Sequence, residues 1–464
     1  MQLKEEAISN KVNRAKTFFP IFIALKDKMS QPQFQRTLTP LMLWGLGVGY
    51  VISGMYFGWN IGLDKGGTLG LGIATFFILI MYITFSFSYS ELACAIPKAG
   101  GAFDYAERAF GKEVGFIAGM VQWIEFVFAP PAIALGIGAY FHLLLPDVPA
   151  IVFAIISYFI FTGINILGVK LSASLELVIT IIAVAELTLF AALTLPHFHI
   201  ENLKTNPLPN GMEGAFAAIP FAIWFFLGME GLANVAEETI EPQKNITKGF
   251  AYSMATLGVL AIMTFCAAVG VGGWEKVVYS ATGEVSDSPL PRALGQITGE
   301  SGVMYKMLIS VGLFGFVASF NGLLLAAGRA TYEFGKSGNF PKVLGTIHPK
   351  FHTPHLALWF NMLVGVIALF TGRTGEIITI AVFGAVCLYV ISCLSLFKLR
   401  KSEPDLHRPF IAPFYPLFPA VALAISLVAL VALTYYNLLL AGIFAGVIVV
   451  SYGLHKIVSL NKEK

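Results

Sequence analysis

Three acidic residues lie deep inside apolar stretches of this 464-residue chain: Glu125, Glu186 and Glu230. An acid at the centre of a lipid bilayer costs about 2.5–3.5 kcal/mol on insertion scales, so residues of this kind are functional candidates. The two chemistries open to a buried carboxyl group are the binding of a cation and the carriage of a proton. The segments that hold these acids therefore indicate where function is located.

The stretch IPFAIWFFLGMEGLANVAEE at 219–238 carries one of these acids between two glycines. Glycine inside a helix costs about 1 kcal/mol relative to alanine. Non-helical backbone persists in a membrane only where protein or a water-filled cavity satisfies its polar groups. We expect a membrane-spanning helix that breaks around Gly228–Gly231, beside a binding site. The alternative is a continuous helix in which Glu230 pairs with a neighbour.

A second acid, Glu125, lies among aromatic residues and shortly before two consecutive prolines, in QWIEFVFAPP at 122–131. Proline inside a helix removes a backbone hydrogen bond and kinks the helix. An ammonium group would compensate the buried carboxylate, and aromatic faces would add cation–π attraction. A protonated structural acid is the alternative for Glu125, and simple packing is the alternative for each aromatic residue. The candidate faces are Trp224, Trp123, Tyr56 and Phe225.

The first apolar segment contains the glycine-rich run GLGVGYVISGMYFGWNIG at 45–62. Small residues are favoured where membrane helices touch, so close packing is one explanation of these glycines. We expect instead a second helix break, because free carbonyl groups at a helix C-terminus suit an ammonium group and free N–H groups suit an anion. The predicted contacts are the carbonyl groups near Val51, Ile52, Phe226 and Leu227 and the N–H groups near Ser53, Gly54, Glu230 and Gly231.

The composition separates this chain from soluble proteins. Only 12% of its residues are charged, against about 25% in a soluble protein, and its mean hydropathy is +0.76. A net charge of +3 without a basic run argues against a nucleic-acid partner. The sequence shows no nucleophile–base pair, metal cluster or nucleotide loop, so we expect no enzyme, metal or cofactor. The four cysteines lie singly in apolar segments and are assigned to packing.

Twelve segments have the roughly 20 mostly apolar residues that a span requires. They lie near 39–62, 68–96, 114–144, 149–168, 174–196, 214–236, 249–272, 303–328, 355–372, 375–397, 412–434 and 437–457. With this topology, all Lys and Arg fall on one side except Lys65, Lys204, Lys276, Arg292, Lys306 and Arg373. The positive-inside rule then predicts a multi-pass protein of the plasma (inner) membrane with both termini in the cytoplasm. Phe18 to Leu25 is either an interfacial helix or part of a disordered tail, and no cleavage site follows it.

The two interrupted spans are the first and the sixth, which would enter the membrane from opposite sides. Interrupted segments at matching positions of two halves indicate an inverted-repeat transporter with its site at the breaks. We therefore predict an all-α membrane protein of 12 transmembrane helices: a 5+5 inverted repeat with discontinuous helices 1 and 6, plus two extra C-terminal helices. Its parts are a tail at 1–38, a core at 39–398 with repeats at about 39–196 and 214–398, and a final part at 399–464.

Three stretches resemble the amino acid–polyamine–organocation superfamily. ELACAIPKAGGAFDY at 91–105 with AFG at 109–111 is similar to the loop after its second span. Residues 228–238, followed by PQ at 242–243 and TKG at 247–249, match its sixth span and exit. GRATY at 328–332, with GNFP at 338–341, HP at 348–349 and TP at 353–354, matches its loop after the eighth span. YFGWN at 56–60 and the 125–131 stretch look most like ethanolamine permeases.

The resemblance implies a permease that imports a small amine, with ethanolamine as the expected substrate, by alternating access. An amino acid symporter or exchanger is the alternative. Amino acid carriers of the superfamily usually hold the substrate carboxylate at a Gly-Ser-Gly-like turn, from which Ile52-Ser53-Gly54-Met55 departs. We expect partners limited to the substrate and the lipid bilayer, and a monomer or weak homodimer. The resemblance also implies gate or loop contacts, with solvated side chains as the alternative, for Glu91, Glu237, Glu238 and Arg329.

The coupling ion stays open at this stage. Proton-coupled relatives often carry a lysine in the fifth helix, near Ala183 here, and this chain lacks it. Glu186, Glu230 or Glu125 could carry a proton, with a structural role as the alternative for Glu186. A sodium ion could instead bind Ser319 and backbone carbonyl groups of the first and eighth spans.

Overall fold

A computed structural model describes residues 36–300 and 302–462, and most of them belong to helices. Within these residues, ten helical segments are long and apolar enough to cross a membrane, and two shorter apolar helices, Pro40–Tyr56 and His355–Leu369, complete the predicted set of twelve. The all-α membrane fold is therefore confirmed. The segment 18–25 lies outside the described residues, and the division into a tail, two repeats and a final part stays a prediction.

The spans are bounded as follows. The first span comprises Pro40–Tyr56 and the first turns of Trp59–Ala95, and the second span is the rest of that helix beyond a kink at Gly67. The others are Lys112–Leu144, Ala150–Leu167, Val169–Thr194, Ile219–Trp224 continued by the 3-10 helix Met229–Glu238, Pro242–Gly272, Val303–Lys336, His355–Leu369, Thr374–Ser402, Leu417–Tyr436 and Leu438–Lys462. Short helices between them are Ala102–Phe110, Leu195–His197, Ile200–Lys204, Gly211–Ala217, Trp274–Val278, Pro289–Thr298 and Lys342–Gly345.

Side-chain contacts between distant loops define the two faces of the bundle. On the face where the first span begins, here called the N-terminal face, the ends of the second and tenth spans meet through Glu91 and Arg400, whose closest atoms are 2.6 Å apart. On the opposite face, the Tyr279 hydroxyl donates to Asp64 Oδ1 at 2.6 Å and the Thr374 hydroxyl donates to Asp287 Oδ2 at 2.8 Å. The second and tenth spans therefore run in the same direction, from the opposite face to the N-terminal face.

The sixth span lies at the centre of the bundle and the twelfth at its edge. The most apolar window of the sixth span is completely buried within the protein, whereas only 6% of that of the twelfth span is buried. A helix that is apolar all round and exposed in this way is suited to contact lipid. The chain thus buries its interrupted helix where its polar backbone is shielded from lipid, as a membrane requires.

The first span is interrupted, but not where the sequence analysis placed the break. The helix runs unbroken from Pro40 to Tyr56, so Val51, Ile52, Ser53 and Gly54 lie inside it. The chain becomes extended at Phe57 and takes a positive φ of 85° at Gly58 before the next helix begins. The prediction of a break at 51–54 is therefore wrong by about one helical turn.

Packing explains why the glycines misled the sequence analysis. Gly54, Gly58, Gly62 and Gly66 recur every four residues and face the segment 214–224 that leads into the sixth span. A Cβ atom added to Gly54 would lie 2.4 Å from the Trp224 carbonyl oxygen. These glycines permit the two interrupted spans to touch, so close helix packing accounts for them.

Candidate functional site

The break in the sixth span lies where the sequence predicts it. The helix Ile219–Trp224 ends in a turn over 225–228, and a 3-10 helix begins at Met229. Gly228 has a φ of 99°, which a residue with a Cβ atom rarely adopts, and a Cβ atom added to it would lie 2.9 Å from Leu323 Cδ2 and 3.4 Å from the Tyr50 carbonyl oxygen. The continuous-helix alternative is therefore excluded, and Glu230 is the second residue of the 3-10 helix that follows the broken turn.

Glu230 is fully buried beside two tyrosines of other spans. The Tyr389 hydroxyl donates to Glu230 Oε1 at 3.1 Å, and the hydroxyls of Tyr389 and Tyr82 are 2.7 Å apart. Glu230 Oε2 is buried without a hydrogen-bond partner among the described residues. A buried acceptor of this kind normally finds a donor, so Oε2 is a candidate contact for a ligand.

The first span carries a side-chain bridge at the point where a break was expected. The Ser53 N–H donates to Ser319 Oγ at 2.8 Å, and that hydroxyl donates to the Gly49 carbonyl oxygen at 2.6 Å. Gly49 and Ser53 are the i and i+4 partners of a helical turn, so the eighth span inserts a hydroxyl at this turn. Ser319 thus reaches the first span as predicted, but its hydroxyl is already engaged as both donor and acceptor.

At the observed break, the free carbonyl groups are held by aromatic side chains. The Trp59 indole N–H donates to the Met55 carbonyl oxygen at 3.0 Å. The Tyr140 hydroxyl donates to the Tyr56 carbonyl oxygen at 3.3 Å, and the Trp224 indole N–H donates to the Phe57 carbonyl oxygen at 3.1 Å. These groups satisfy the break internally, so the expectation that first-span carbonyls near Val51 and Ile52 stand free for a cation is wrong.

The structure brings together three of the four predicted aromatic faces. Trp224 packs edge-on against Phe57, Phe225 stacks on Trp59, and Tyr56 lies one residue before the break. Leu227 is buried in the turn of the sixth span. Trp123 lies elsewhere: it contacts Phe340 and Phe360 near the N-terminal face and is only partly buried. Helical geometry explains this, since residues two apart point to different sides and Trp123 cannot share the face of Glu125.

Glu125 is completely buried, and neither carboxylate oxygen has a hydrogen-bond partner among the described residues. It lies within the unbroken helix Lys112–Leu144, where the third span meets the tenth span at Gly384. Pro130 and Pro131 are accommodated inside that helix without interrupting it. An ionised carboxylate cannot remain buried without a compensating charge or proton. Glu125 therefore requires either a cation or a proton.

The buried acids of the spans and their ends form two groups. Glu91 pairs with Arg400 and Arg408, and Glu238 pairs with Arg329 at 2.7 Å, all on the N-terminal face. These contacts agree with the gate or loop role that the resemblance implies. No salt bridge joins Glu125, Glu230, Glu186 or Glu176 to a basic side chain in the part of the chain that the structure describes.

Glu186, the predicted coupling residue, is held by the first span. The Tyr56 hydroxyl lies 2.5 Å from Glu186 Oε2 and 3.1 Å from the Ala183 carbonyl oxygen. Tyr56, predicted as an aromatic contact of the substrate, therefore also links the first and fifth spans beside the break. Both the structural and the proton-carrying interpretations of Glu186 are compatible with this contact.

Glu176, Tyr389 and Tyr82 are buried polar residues that the sequence pattern does not single out. The apolar pattern predicts that the fifth span begins at 174, which would leave Glu176 at a helix end. The helix begins at Val169, and Glu176 is completely buried two turns inside it. The tyrosines carried no signal, since tyrosine is common in apolar segments and its hydroxyl partner depends on tertiary structure.

Residues 97–104, which comprise the loop after the second span and the first turn of the helix Ala102–Phe110 and are here called the 97–104 loop, close the N-terminal face near the sixth span. The Asn234 amide donates to the Ala99 carbonyl oxygen at 2.7 Å, and the Ala102 N–H donates to Gln122 Oε1 at 3.0 Å. Burial raises the pKa of Asp104 to about 6, although Lys98 Nζ lies 3.6 Å away and opposes this shift. This loop therefore contains an acid that titrates close to physiological pH.

Residues 38–449 match the family model described as amino acid permease. The chain is 27% identical to the methylthioribose transporter of Bacillus subtilis (strain 168), over 87% of this chain and 89% of that protein. It is 24% identical to the branched-chain amino acid permease BcaP of the same organism, over 86% of this chain and 88% of that permease. It is 25% identical to the low-affinity putrescine importer PlaP of Escherichia coli (strain K12), over 84% of this chain and 88% of that importer. These relatives carry different cargoes, so likeness alone selects none of them.

Proposed function

We propose, from the premise that this chain belongs to the amino acid permease family, that it is a secondary transporter that imports a small organic amine, with ethanolamine as the first candidate. Membership of the family makes the chain an integral membrane transporter of amino acids or amines and not an enzyme. The geometry of the site supports an amine without a carboxylate.

The observation that carries the proposal is the set of unpaired acids. Glu125 has two buried oxygens without a hydrogen-bond partner in the described residues, and Glu230, at the sixth-span break, has one. Neither acid is joined to a basic side chain by any salt bridge of the described residues. A cationic cargo would supply the missing charge: Glu230 lies just beyond the sixth-span break, and Glu125 lies where the third span meets the tenth, the span whose Tyr389 donates to Glu230. The indole and phenyl faces of Trp224 and Phe225 would add cation–π attraction.

The first span also argues against a cargo with a carboxylate. A carboxylate would need free N–H groups at a helix break. The Ser53 N–H, the predicted donor, is directed to Ser319 Oγ, and Gly54 lies inside the unbroken helix. An alkyl hydroxyl, by contrast, can both donate and accept, so the tyrosine pair next to Glu230 provides a suitable environment for it.

The contacts between spans suggest how the carrier would move. The glycine row of the first span lies against the sixth span, so the two interrupted helices can rock as a pair against the other spans. The Arg329–Glu238 pair and the 97–104 loop would open when the N-terminal face opens. We place that face and both termini in the cytoplasm, because it carries most of the basic residues. A proton or a sodium ion would drive import.

An amino acid symporter or exchanger remains the second candidate, and the relative that favours it is the branched-chain amino acid permease. In that case, the ammonium group would use the same acids and the carboxylate would require donors that appear only after a rearrangement of the first span.

Uptake of labelled ethanolamine into proteoliposomes tests the proposal, with competition by unlabelled alanine, arginine and putrescine. We expect uptake that unlabelled ethanolamine abolishes and alanine leaves unchanged. Glu125→Gln should weaken ethanolamine binding at least tenfold, whereas Glu201→Gln, at an exposed acid, should have no effect. Uptake of alanine in place of ethanolamine would establish the second candidate, and unchanged affinity in Glu125→Gln would remove that residue from the site.

A further inference from the structure

A cluster of polar side chains lies between the first, fifth and eighth spans. Glu176 is completely buried at its centre, and the Asn321 side-chain amide donates to Glu176 Oε2 at 2.7 Å. The Asn165 side-chain amide donates to Asn321 Oδ1 at 3.0 Å, which fixes the orientation of the Asn321 amide. The network is thus directed so that an N–H group points at the carboxyl group of Glu176.

The other carboxyl oxygen, Glu176 Oε1, is buried without a hydrogen-bond partner among the described residues. It lies directly against the backbone of the first span: a Cβ atom added to Gly49 would be 2.0 Å from it. A Cβ atom added to Gly322 of the eighth span would be 3.3 Å from it. Two glycines therefore allow main chain to cover this oxygen, and any displacement of the first span would uncover it.

The same cluster contains the bridge between the first and eighth spans. Ser319 Oγ donates to the carbonyl oxygen of Gly49, the residue that covers Glu176 Oε1. The Thr180 hydroxyl, one turn beyond Glu176, donates to the Gly45 carbonyl oxygen at 3.1 Å. A movement of the first span must break or rearrange these contacts, so the environment of Glu176 is tied to the position of the helix that moves.

We propose that Glu176 carries the proton that is imported together with the cargo. The inference rests on the proposed function, because it assigns a coupling ion to the same carrier. Water on the outer side gives a proton to Oε1 when the first span uncovers it, which neutralises the carboxylate. The neutral acid is tolerated while it is covered, and the proton returns to water on the N-terminal side when the opposite movement exposes Oε1.

The arrangement favours a proton over a sodium ion as the species that neutralises Glu176. A metal ion requires several oxygen ligands, but the hydroxyls of Ser319 and Thr180 are directed at main-chain carbonyl oxygens. Asn321 presents its N–H group, not its oxygen, to the carboxylate. A single oxygen without a partner is what the binding of one proton requires.

Among the side chains that the structure describes, the groups that face Glu176 from the neighbouring spans do not offer another neutralising charge. Tyr50 of the first span packs against the same Gly322, and its hydroxyl is neutral at physiological pH. Arg329 of the eighth span lies beyond Tyr50 and forms a salt bridge with Glu238. The fifth span contributes Thr180, and the fourth and eighth spans contribute the two asparagines, none of which titrates.

The test compares two modes of transport in proteoliposomes under a clamped, zero membrane potential. A pH gradient of one unit, interior alkaline, can drive accumulation of about tenfold when one proton accompanies each cargo molecule. We expect the wild type to accumulate ethanolamine under this gradient and also to exchange it in counterflow without a gradient. Glu176→Gln should lose the accumulation and keep counterflow within about twofold, whereas the control Glu201→Gln should keep both.

Several results would overturn the proposal. The first is a wild type that shows counterflow but no response to the pH gradient, which leaves the transport function intact. The second is accumulation by Glu176→Gln at the wild-type level, and the third is loss of counterflow together with accumulation. If Glu176→Gln fails to fold, Asn321→Ala provides a second measurement, because it removes the amide that donates to the Glu176 carboxylate. The pH midpoint of counterflow should then move upward. An unchanged or lower midpoint contradicts a proton on Glu176.

Discussion

The buried pair of Arg329 and Glu238 should stabilise the state in which the N-terminal face is closed. Arg329 Nε and Nη2 both donate to Glu238 Oε1, at 3.0 and 2.7 Å, and the two side chains are 0% and 1% exposed. The Glu238 carbonyl oxygen also accepts from the N–H groups of Thr37 and Leu38, at 2.9 and 3.0 Å. This one residue therefore joins the exit of the sixth span to the eighth span and to the segment that precedes the first.

Arg329→Gln removes one charge of the pair and leaves the other buried. Breaking a buried ion pair in this way typically costs about 3–5 kcal/mol, because the remaining carboxylate lacks a compensating charge. Arg108→Gln provides a matched control on the same face: Arg108 and Glu403 are paired at 2.6 Å, but their side chains are 40% and 32% exposed. Exposed pairs are worth about 0–1 kcal/mol, so the two substitutions should differ by at least about 2 kcal/mol.

Thermal and denaturant unfolding of the purified protein in detergent would measure this difference. We expect a much lower midpoint for Arg329→Gln than for Arg108→Gln, and a partial return in the double variant Arg329→Gln/Glu238→Gln, in which no charge is left buried. The accessibility of cysteines near the N-terminal face to a water-soluble thiol reagent should rise in Arg329→Gln, because the closed state is weakened. If Arg329→Gln were no more destabilising than Arg108→Gln, the ascribed cost of an unpaired Glu238 would be refuted.

Three further predictions concern the contacts of the interrupted helices and the loop that covers them. Gly54→Leu should abolish transport, because a Cβ atom at this position would lie 2.4 Å from the Trp224 carbonyl oxygen of the sixth span. The control Gly72→Leu should transport normally, because a Cβ atom at Gly72 meets nothing within 4 Å. Equal uptake by the two variants would contradict the packing argument. Tyr389→Phe should lower stability by about 1–3 kcal/mol, because Glu230 Oε1 loses its tyrosine donor, and an unchanged unfolding midpoint would speak against that hydrogen bond. The folded-state pKa of Asp104, about 6, is above its unfolded value, so its stabilising contribution is complete below pH 4 and is lost as pH rises through about 6. Hydrogen exchange of the 97–104 amides, corrected for intrinsic rates, should therefore speed up between pH 5 and 7 in the wild type and stay flat in Asp104→Asn.

The amino-acid sequence was sufficient for the features that depend on local composition. Runs of apolar residues predict membrane spans because the bilayer core admits little else. Two glycines around Glu230 predict a break in the sixth span, since both the glycines and the acid are costly in a continuous helix. The same local reasoning singled out Glu125 as an acid that requires a partner.

Tertiary structure decided which of several similar residues face one another. The first-span glycines at 54 and 58 look alike in sequence, yet the break falls at Phe57–Gly58, where indole and phenol groups of other spans hold the free carbonyl oxygens. Trp123 and Trp224 are both aromatic residues within spans, but only the second lies beside the interrupted helices. Glu91 and Glu238 have arginine partners 309 and 91 residues away, whereas Glu125 has none among the described residues. Whether a buried acid is neutralised depends on side chains brought from distant spans, and the spacing of residues along one helix does not contain that information.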